Sequence, residues 1–440
     1  MESSQTGKQW QNLLPPHLAE YSPATNLAQN EVIRKLIAEG QTIYHFGFGQ
    51  SPFPVMKSAQ KALAEHTGVN AYLPVAGIAE LCASICEFHA KEDKLSHFNA
   101  DDVIVGPGSK ELIFLLMLIF NGDVILLSPT WTTYKPQMLL AQKSTHVIST
   151  SFDSNWKLTP EAFLQTIKEN QLENKNKLLI LCNPDNPTGT SYTEQELESL
   201  SKVFRDHSMI VLSDEIYAKL RFDGQHVSIA KYYPEGTILS SGISKWASAG
   251  GWRLGYNIYP KKLSALKIAV KSAGSHTYSC ASGPIQYASM MIFNFDEESQ
   301  NYVFHCRRIL SAVAEYCYRE LTSVGIKVKR STGGYYLMPD FEILRPYLEK
   351  RGIFTCSQMC EALFQEANVA VISAGPAFLR PIDELTVRFC YVSFDGKSAL
   401  KASSQIDQKD LPEDFVVSNC QNIVDGVQAI KKWVNRQMTN

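Results

Sequence analysis

Leu178-Leu-Ile-Leu-Cys-Asn-Pro-Asp-Asn-Pro-Thr-Gly189 joins an unbroken apolar run to a turn made of two Asn-Pro steps closed by Thr-Gly. An apolar run without polar alternation is a strand covered on both faces, the pattern of a parallel sheet between helices. The doubled Asn-Pro forces the chain out of the strand into an irregular loop. Outward from this stretch the same grammar repeats. Asp102-Val-Ile-Val105, Asp123-Val-Ile-Leu-Leu127, Met209-Ile-Val-Leu212 and Ile238-Leu-Ser-Ser241 read as further strands, most leading into Gly-, Pro- or Ser-bearing loops. Ile78 to His89, Glu111 to Phe120 and Thr193 to Asp206 read as helices between them. The alternation predicts an α/β fold with a mostly parallel sheet flanked by helices. In such sheets ligands sit at the carboxyl ends of the strands, so the loops after them are where chemistry is expected.

The last third reads differently. Glu297 to Ser323 predicts a long helix, Gly334-Tyr-Tyr-Leu-Met338 and Leu385-Thr-Val-Arg-Phe-Cys-Tyr391 predict strands, and Val417 to Val434 a final helix. The expected organisation is an N-terminal arm and part of a small domain in 1–54, a large domain in 55–296, and a smaller α+β domain in 297–440. Residues 394–414, rich in Ser, Lys, Gln and Asp, are expected to form a surface insertion.

With 42 Lys and Arg against 44 Asp and Glu in 440 residues, the chain has a net charge of −2. That excludes the basic footprint of a nucleic-acid or anionic-membrane binder. Met1 to Trp10 has no apolar or Arg-rich targeting pattern, and Leu112 to Phe120 is too short to span a bilayer. Cys82 and Cys86, like Cys356 and Cys360, fall at helical spacing among apolar residues, which suits buried thiols in a reducing, cytoplasmic setting. No metal-ligand spacing is present.

The post-strand loops carry the reactive side chains. Asp214 and Tyr217, at i and i+3 in Ser213-Asp-Glu-Ile-Tyr217, can both face a ligand at a strand end. Lys245 opens the Ser/Gly-rich stretch Ser244-Lys-Trp-Ala-Ser-Ala-Gly-Gly-Trp-Arg-Leu-Gly255. A Lys is usually a solvated surface charge; one placed after a buried strand is a candidate Schiff-base nucleophile. Gly106-Pro-Gly-Ser-Lys110 lies between a strand and an apolar helix, where free backbone N–H groups bind anions. Arg388 interrupts an apolar strand, which is costly unless the charge is paired.

In this order along the chain, the motifs resemble the class I/II aminotransferases, pyridoxal-phosphate enzymes of the aspartate aminotransferase fold (fold type I). The resemblance covers roughly residues 25–393 and the final helix. It implies that Lys245 carries the cofactor as an aldimine and acts as the catalytic acid and base. Asp214 would hold the pyridine nitrogen protonated, and Tyr217 and Asn186 would bind the 3′-oxygen. Trp131 would stack on the ring. Gly108, Ser109, Lys110, Ser244 and Arg253 would cradle the phosphate, joined by Tyr72 from a neighbouring subunit, which implies a homodimer. Arg388, with Asn186 and Gly49, would hold the substrate, the guanidinium gripping its α-carboxylate.

Two positions depart from the family pattern. Gly242 stands where a Ser commonly helps bind phosphate, and Gly49-Gln-Ser51 replaces Gly-Glu-Pro. Phe46, Phe48, Phe53, Trp131 and Tyr134 suggest an apolar or aromatic lining. The implied activity is transfer of an amino group between an L-amino acid and a 2-oxo acid by ping-pong kinetics. A C–S β-lyase or an aminocyclopropane-carboxylate-synthase-like lyase, which would use the same residues, is the alternative. A non-enzymatic protein on this fold would have no need of Lys245, Asp214 and Arg388 together.

Overall fold

The computed structural model describes residues 15–18 and 25–439; the reading of Met1 to Trp10 falls outside them. In chain order the strands are β1 (Tyr44–His45), β2 (Val103–Gly106), β3 (Asp123–Ser128), β4 (Thr145–Ser149), β5 (Lys177–Cys182) and β6 (Ile210–Asp214). There follow β7 (Thr237–Gly242), β8 (Gly255–Ile258), β9 (Tyr336–Leu337), β10 (Val369–Ala370), β11 (Ile372–Ser373) and β12 (Val387–Cys390). Seven of them form one sheet in the order β2-β8-β7-β6-β5-β3-β4. Only β8 in this sheet runs antiparallel to its neighbours. A three-stranded sheet, β11-β12-β9, and the pair β1-β10 lie apart from it.

The apolar runs behave as two-sided strands. Val124 and Leu126 of β3, with Leu178 and Ile180 of β5, pack into one core. Ile125 and Leu127, with Leu179 and Leu181, pack into another. Side chains alternate across a strand, so two cores drawing alternate residues means helices on both faces. Strands β4 and β8 escape the sequence reading. The first is an edge strand whose Val147 stays 41% exposed, and Gly255-Tyr-Asn-Ile258 carries too little apolar signal.

Helix ends follow local chemistry. The helix Glu194–Asp206 starts in a capping box, Thr193 accepting from the Glu196 N–H while the Glu196 side chain returns to the Thr193 N–H. The long helix Glu297–Thr322 is capped by Asp296. Two expectations need correction. The final helix breaks at Cys420 into Phe415–Asn419 and Gln421–Thr439. At that break Asn419 bonds back to the Phe415 carbonyl and Asn422 reaches the Ser393 carbonyl, competing with helix bonds. The stretch 394–414 is not all surface: Gly396–Ser403 is a helix burying Gly396, Ala399 and Ser403. Its inward face is made of small residues, which hydropathy does not register. Arg308 of the long helix anchors its end, donating to the carbonyls of Ser403, Ile406 and Gln408.

Candidate active site

The carboxyl ends of the parallel strands open onto a cavity of about 570 Å³. Its wall includes Gly49, Ser109, Lys110, Trp131, Asn186, Asp214, Tyr217, Ser244, Lys245, Arg253 and Arg388. Each arrives there for a topological reason. Asp214 ends β6, Asn186 lies in the loop after β5, Trp131 follows β3, and Ser244 and Lys245 follow β7. Because β8 runs the other way, its first residue, Gly255, pairs with both Gly242 and Gly106, which brings Arg253 to the same edge as Ser109. The Asn-Pro loop holds its own shape: Asp185 accepts from the backbone N–H and hydroxyl of Thr188, and the Asn183 N–H bonds the Asp214 carbonyl. Burial pushes the Asp185 carboxyl up to about 7, with Thr188 acting against it.

One end of the cavity is an anion cradle. Ser109 begins the helix Ser109–Ile119, with Gly108 before it. Gly108 has a φ of +99°, a backbone conformation that favours glycine, and a Cβ there would lie 2.4 Å from the Arg253 guanidinium. Lys110 lies 5.2 Å over the Trp131 ring, and its amine is held below the ordinary lysine value by burial and then by the Arg253 charge. Two cations at a helix N-terminus repel each other and attract an anion. Gly242 has its own cause. A Cβ there would stand 2.8 Å from the Leu254 carbonyl oxygen and 2.9 Å from Gly255 Cα, so the β7–β8 pairing leaves no room for Ser.

At the other end lies Arg388, 1% exposed. It donates to the Gly47 carbonyl at 2.7 Å and to Asn186 Oδ1 at 3.4 Å, and its Nε has no partner among the described residues. The guanidinium lies 4.9 Å over Tyr336 and 5.1 Å over Phe378. Among the described residues no carboxylate forms an ion pair with it. A buried cation in this state is a receptor for a carboxylate from outside.

Between the two ends, Lys245 Nζ donates to the Gly49 carbonyl at 2.7 Å. Loss of water brings its amine down to about 8; Arg388 and Lys110 add to the drop, while Cys390 and Asp214 oppose it. Burial lifts Asp214 to about 6, restrained by the Tyr134 hydroxyl, which donates to Oδ2 at 2.6 Å. A lysine below and an aspartate above their usual values in one cavity is the tuning expected of acid–base chemistry.

Tyr72 is not on this wall and stands 90% exposed. Phe46 and Phe53 belong to the core, whereas Phe48, Trp131 and Tyr134 do line the cavity. Tyr336, Cys182, Ile216 and Ser248 also line it; each falls within a quoted stretch, but none was named as a site residue.

Residues 38–395 match the aminotransferase class I and II family, and the chain belongs to this class of transaminases. An aspartate aminotransferase of Bacillus sp. (strain YM-2) is 30% identical, over 87% of this chain and 95% of its own length. One from Geobacillus stearothermophilus is 31% identical over 84% and 92%. The structure of Thermus thermophilus aspartate aminotransferase with maleate superposes with a TM-score of 0.78 at 26% identity, over 89% of this chain and 98% of that one. These likenesses favour amino-group transfer over the lyase reaction.

Proposed function

We propose that the chain moves an amino group between an L-amino acid and a 2-oxo acid with pyridoxal 5′-phosphate held in this cavity. The carrying observation is the layout of charge: an anion cradle at one end, a buried unpaired guanidinium at the other, and between them the Lys245 amine, whose proton is held less tightly than an ordinary lysine's. The donor set fits the cofactor. Gly108, Ser109, Lys110, Ser244 and Arg253 would hold its phosphate, Trp131 its ring face, Asp214 its ring nitrogen, Tyr217 and Asn186 its 3′-oxygen, and Lys245 its aldehyde carbon. When bound, the cofactor supplies a carbon that accepts the amino group and a ring that draws off electrons from the substrate.

The protein's part is positioning and proton transfer. Arg388 takes the substrate α-carboxylate in a bidentate pair, which orients the α-carbon. Lys245 Nζ, half-buried beside Gly49, removes the α-proton as a neutral amine and returns a proton on the other side of the transfer. Asp214, kept ionised by Tyr134, holds a proton on the ring nitrogen. The two relatives are named for aspartate, so aspartate is the first donor to test. Tyr72, exposed and outside the cavity, would complete the cradle of a second subunit in a homodimer. A cytoplasmic setting suits the ten unpaired thiols. A division of the chain at 55 and 297 remains part of this reading.

Borohydride reduction of the cofactor-loaded enzyme followed by peptide mapping tests the site: the cofactor should be fixed on Lys245. A label elsewhere, or none, would contradict the proposal. Tyr134→Phe gives a second check. It removes a hydrogen bond to a charged group, worth about 1.5–3 kcal/mol, so Asp214 should protonate about one pH unit higher or more. The acid limb of cofactor binding against pH should move up accordingly, and an unmoved limb would exclude this role for Tyr134.

A further inference from the structure

Tyr336 sits where the two halves of the site meet. It pairs with Cys390 across β9 and β12, and Arg388 lies two residues from Cys390 on the same strand face. Its ring therefore faces the cavity with the guanidinium 4.9 Å above it. Its hydroxyl crosses to the large sheet, 2.6 Å from the Tyr217 hydroxyl. The backbone makes way for it: a Cβ on Gly49 would lie 2.1 Å from Tyr336 Oη, and the Gly49 carbonyl is the one that takes Lys245 Nζ.

Both phenols are buried, Tyr336 and Tyr217 each 2% exposed, and burial keeps both protonated. One hydrogen bond between two hydroxyls consumes one proton and leaves the other free. Among the described residues neither hydroxyl has another hydrogen-bond partner. We propose that Tyr336 is a positioning residue with two separable roles: its hydroxyl donates to Tyr217, freeing the Tyr217 proton for an acceptor in the cavity, and its ring is the platform that fixes Arg388. The hydroxyl thereby acts on the cofactor's 3′-oxygen through Tyr217, since donors in a chain polarise one another. The ring acts on the substrate carboxylate through the guanidinium stacked on it.

This inference rests on the proposed cofactor, and the experiment separates the two. Wild type, Tyr336→Phe and Tyr336→Leu are each loaded with pyridoxal 5′-phosphate. The visible band is titrated against pH, and KM for the amino acid is measured. A wild type without a visible band would remove the cofactor reading itself. With the band present, Tyr336→Phe should move its pH midpoint upward by several tenths of a unit, because Tyr217 becomes a weaker donor, and leave KM within about twofold. Tyr336→Leu should show the same spectral shift and also raise KM about tenfold, since an exposed to desolvated cation–ring contact spans roughly that range. In a Tyr217→Phe background, adding Tyr336→Phe should give no further shift. An unmoved midpoint in Tyr336→Phe, or an equal shift with Tyr217 already removed, would overturn the hydroxyl's role. Equal KM values for the Phe and Leu variants would overturn the ring's.

Discussion

Lys245→Ala is expected to lower turnover about ten-thousandfold, the upper range for losing a group that serves as both base and acid, while the chain still folds. The side chain lines the same cavity as the anion cradle and Arg388, and its hydrogen bond is to the Gly49 carbonyl. Losing that bond costs about 1–2 kcal/mol of stability, partly offset because a cation no longer has to be kept in a water-poor site. The pH dependence carries a sign. With its amine brought down to about 8, the reactive neutral form grows as pH rises and is nearly complete about one unit above that value. Cofactor uptake by wild type should therefore climb through pH 8 and then level. An ordinary lysine would keep climbing toward 10.5. Because the Arg388 charge helps depress the amine, Arg388→Met should displace the climb upward, a link that stopped-flow uptake at several pH values would detect.

Arg388→Met is the second large effect, and its two halves point in opposite directions. Without the guanidinium the substrate carboxylate loses a buried charged partner, worth about 3–4 kcal/mol, or a loss of roughly two to three orders of magnitude in kcat/KM. Stability should not fall in step. The residue is 1% exposed and its guanidinium meets carbonyl oxygens and aromatic faces but, among the described residues, no carboxylate in an ion pair. Removing a buried charge that has no ion-pair partner relieves its desolvation cost, which offsets the hydrogen bond lost at the Gly47 carbonyl. Unfolding of the cofactor-free variant in urea should thus have a midpoint at or above that of wild type. Marked destabilisation together with unchanged substrate affinity would assign Arg388 to the framework instead.

The parallel strands were legible because burial on both faces writes an unbroken apolar run, as in Leu178 to Leu181. The edge strand β4 and the two-residue strands β1, β10 and β11 write no such signal. The site splits along a similar line. Lys245, Asp214 and Asn186 were legible because each sits in a short motif at or just past the end of a strand. Tyr134 and Tyr336 act through partners 80 and 119 residues away, on other strands' loops, so their roles appear only once the chain is folded. Gly242 looked like a missing phosphate ligand in the sequence. The carbonyl of Leu254 behind it turns that absence into a packing requirement. Residues 394–414 misled for a related reason: the helix within them packs through Gly396, Ala399 and Ser403, small residues that carry little hydropathy.

The most direct test of amino-group transfer uses enzyme at substrate-like concentration, loaded with cofactor and given aspartate or another L-amino acid with no oxo acid present. One equivalent of 2-oxo acid per active site should appear and the reaction should then stop, resuming only when a different 2-oxo acid is supplied. Continuous release of oxo acid and ammonia without an acceptor would contradict transfer and return the chemistry to elimination.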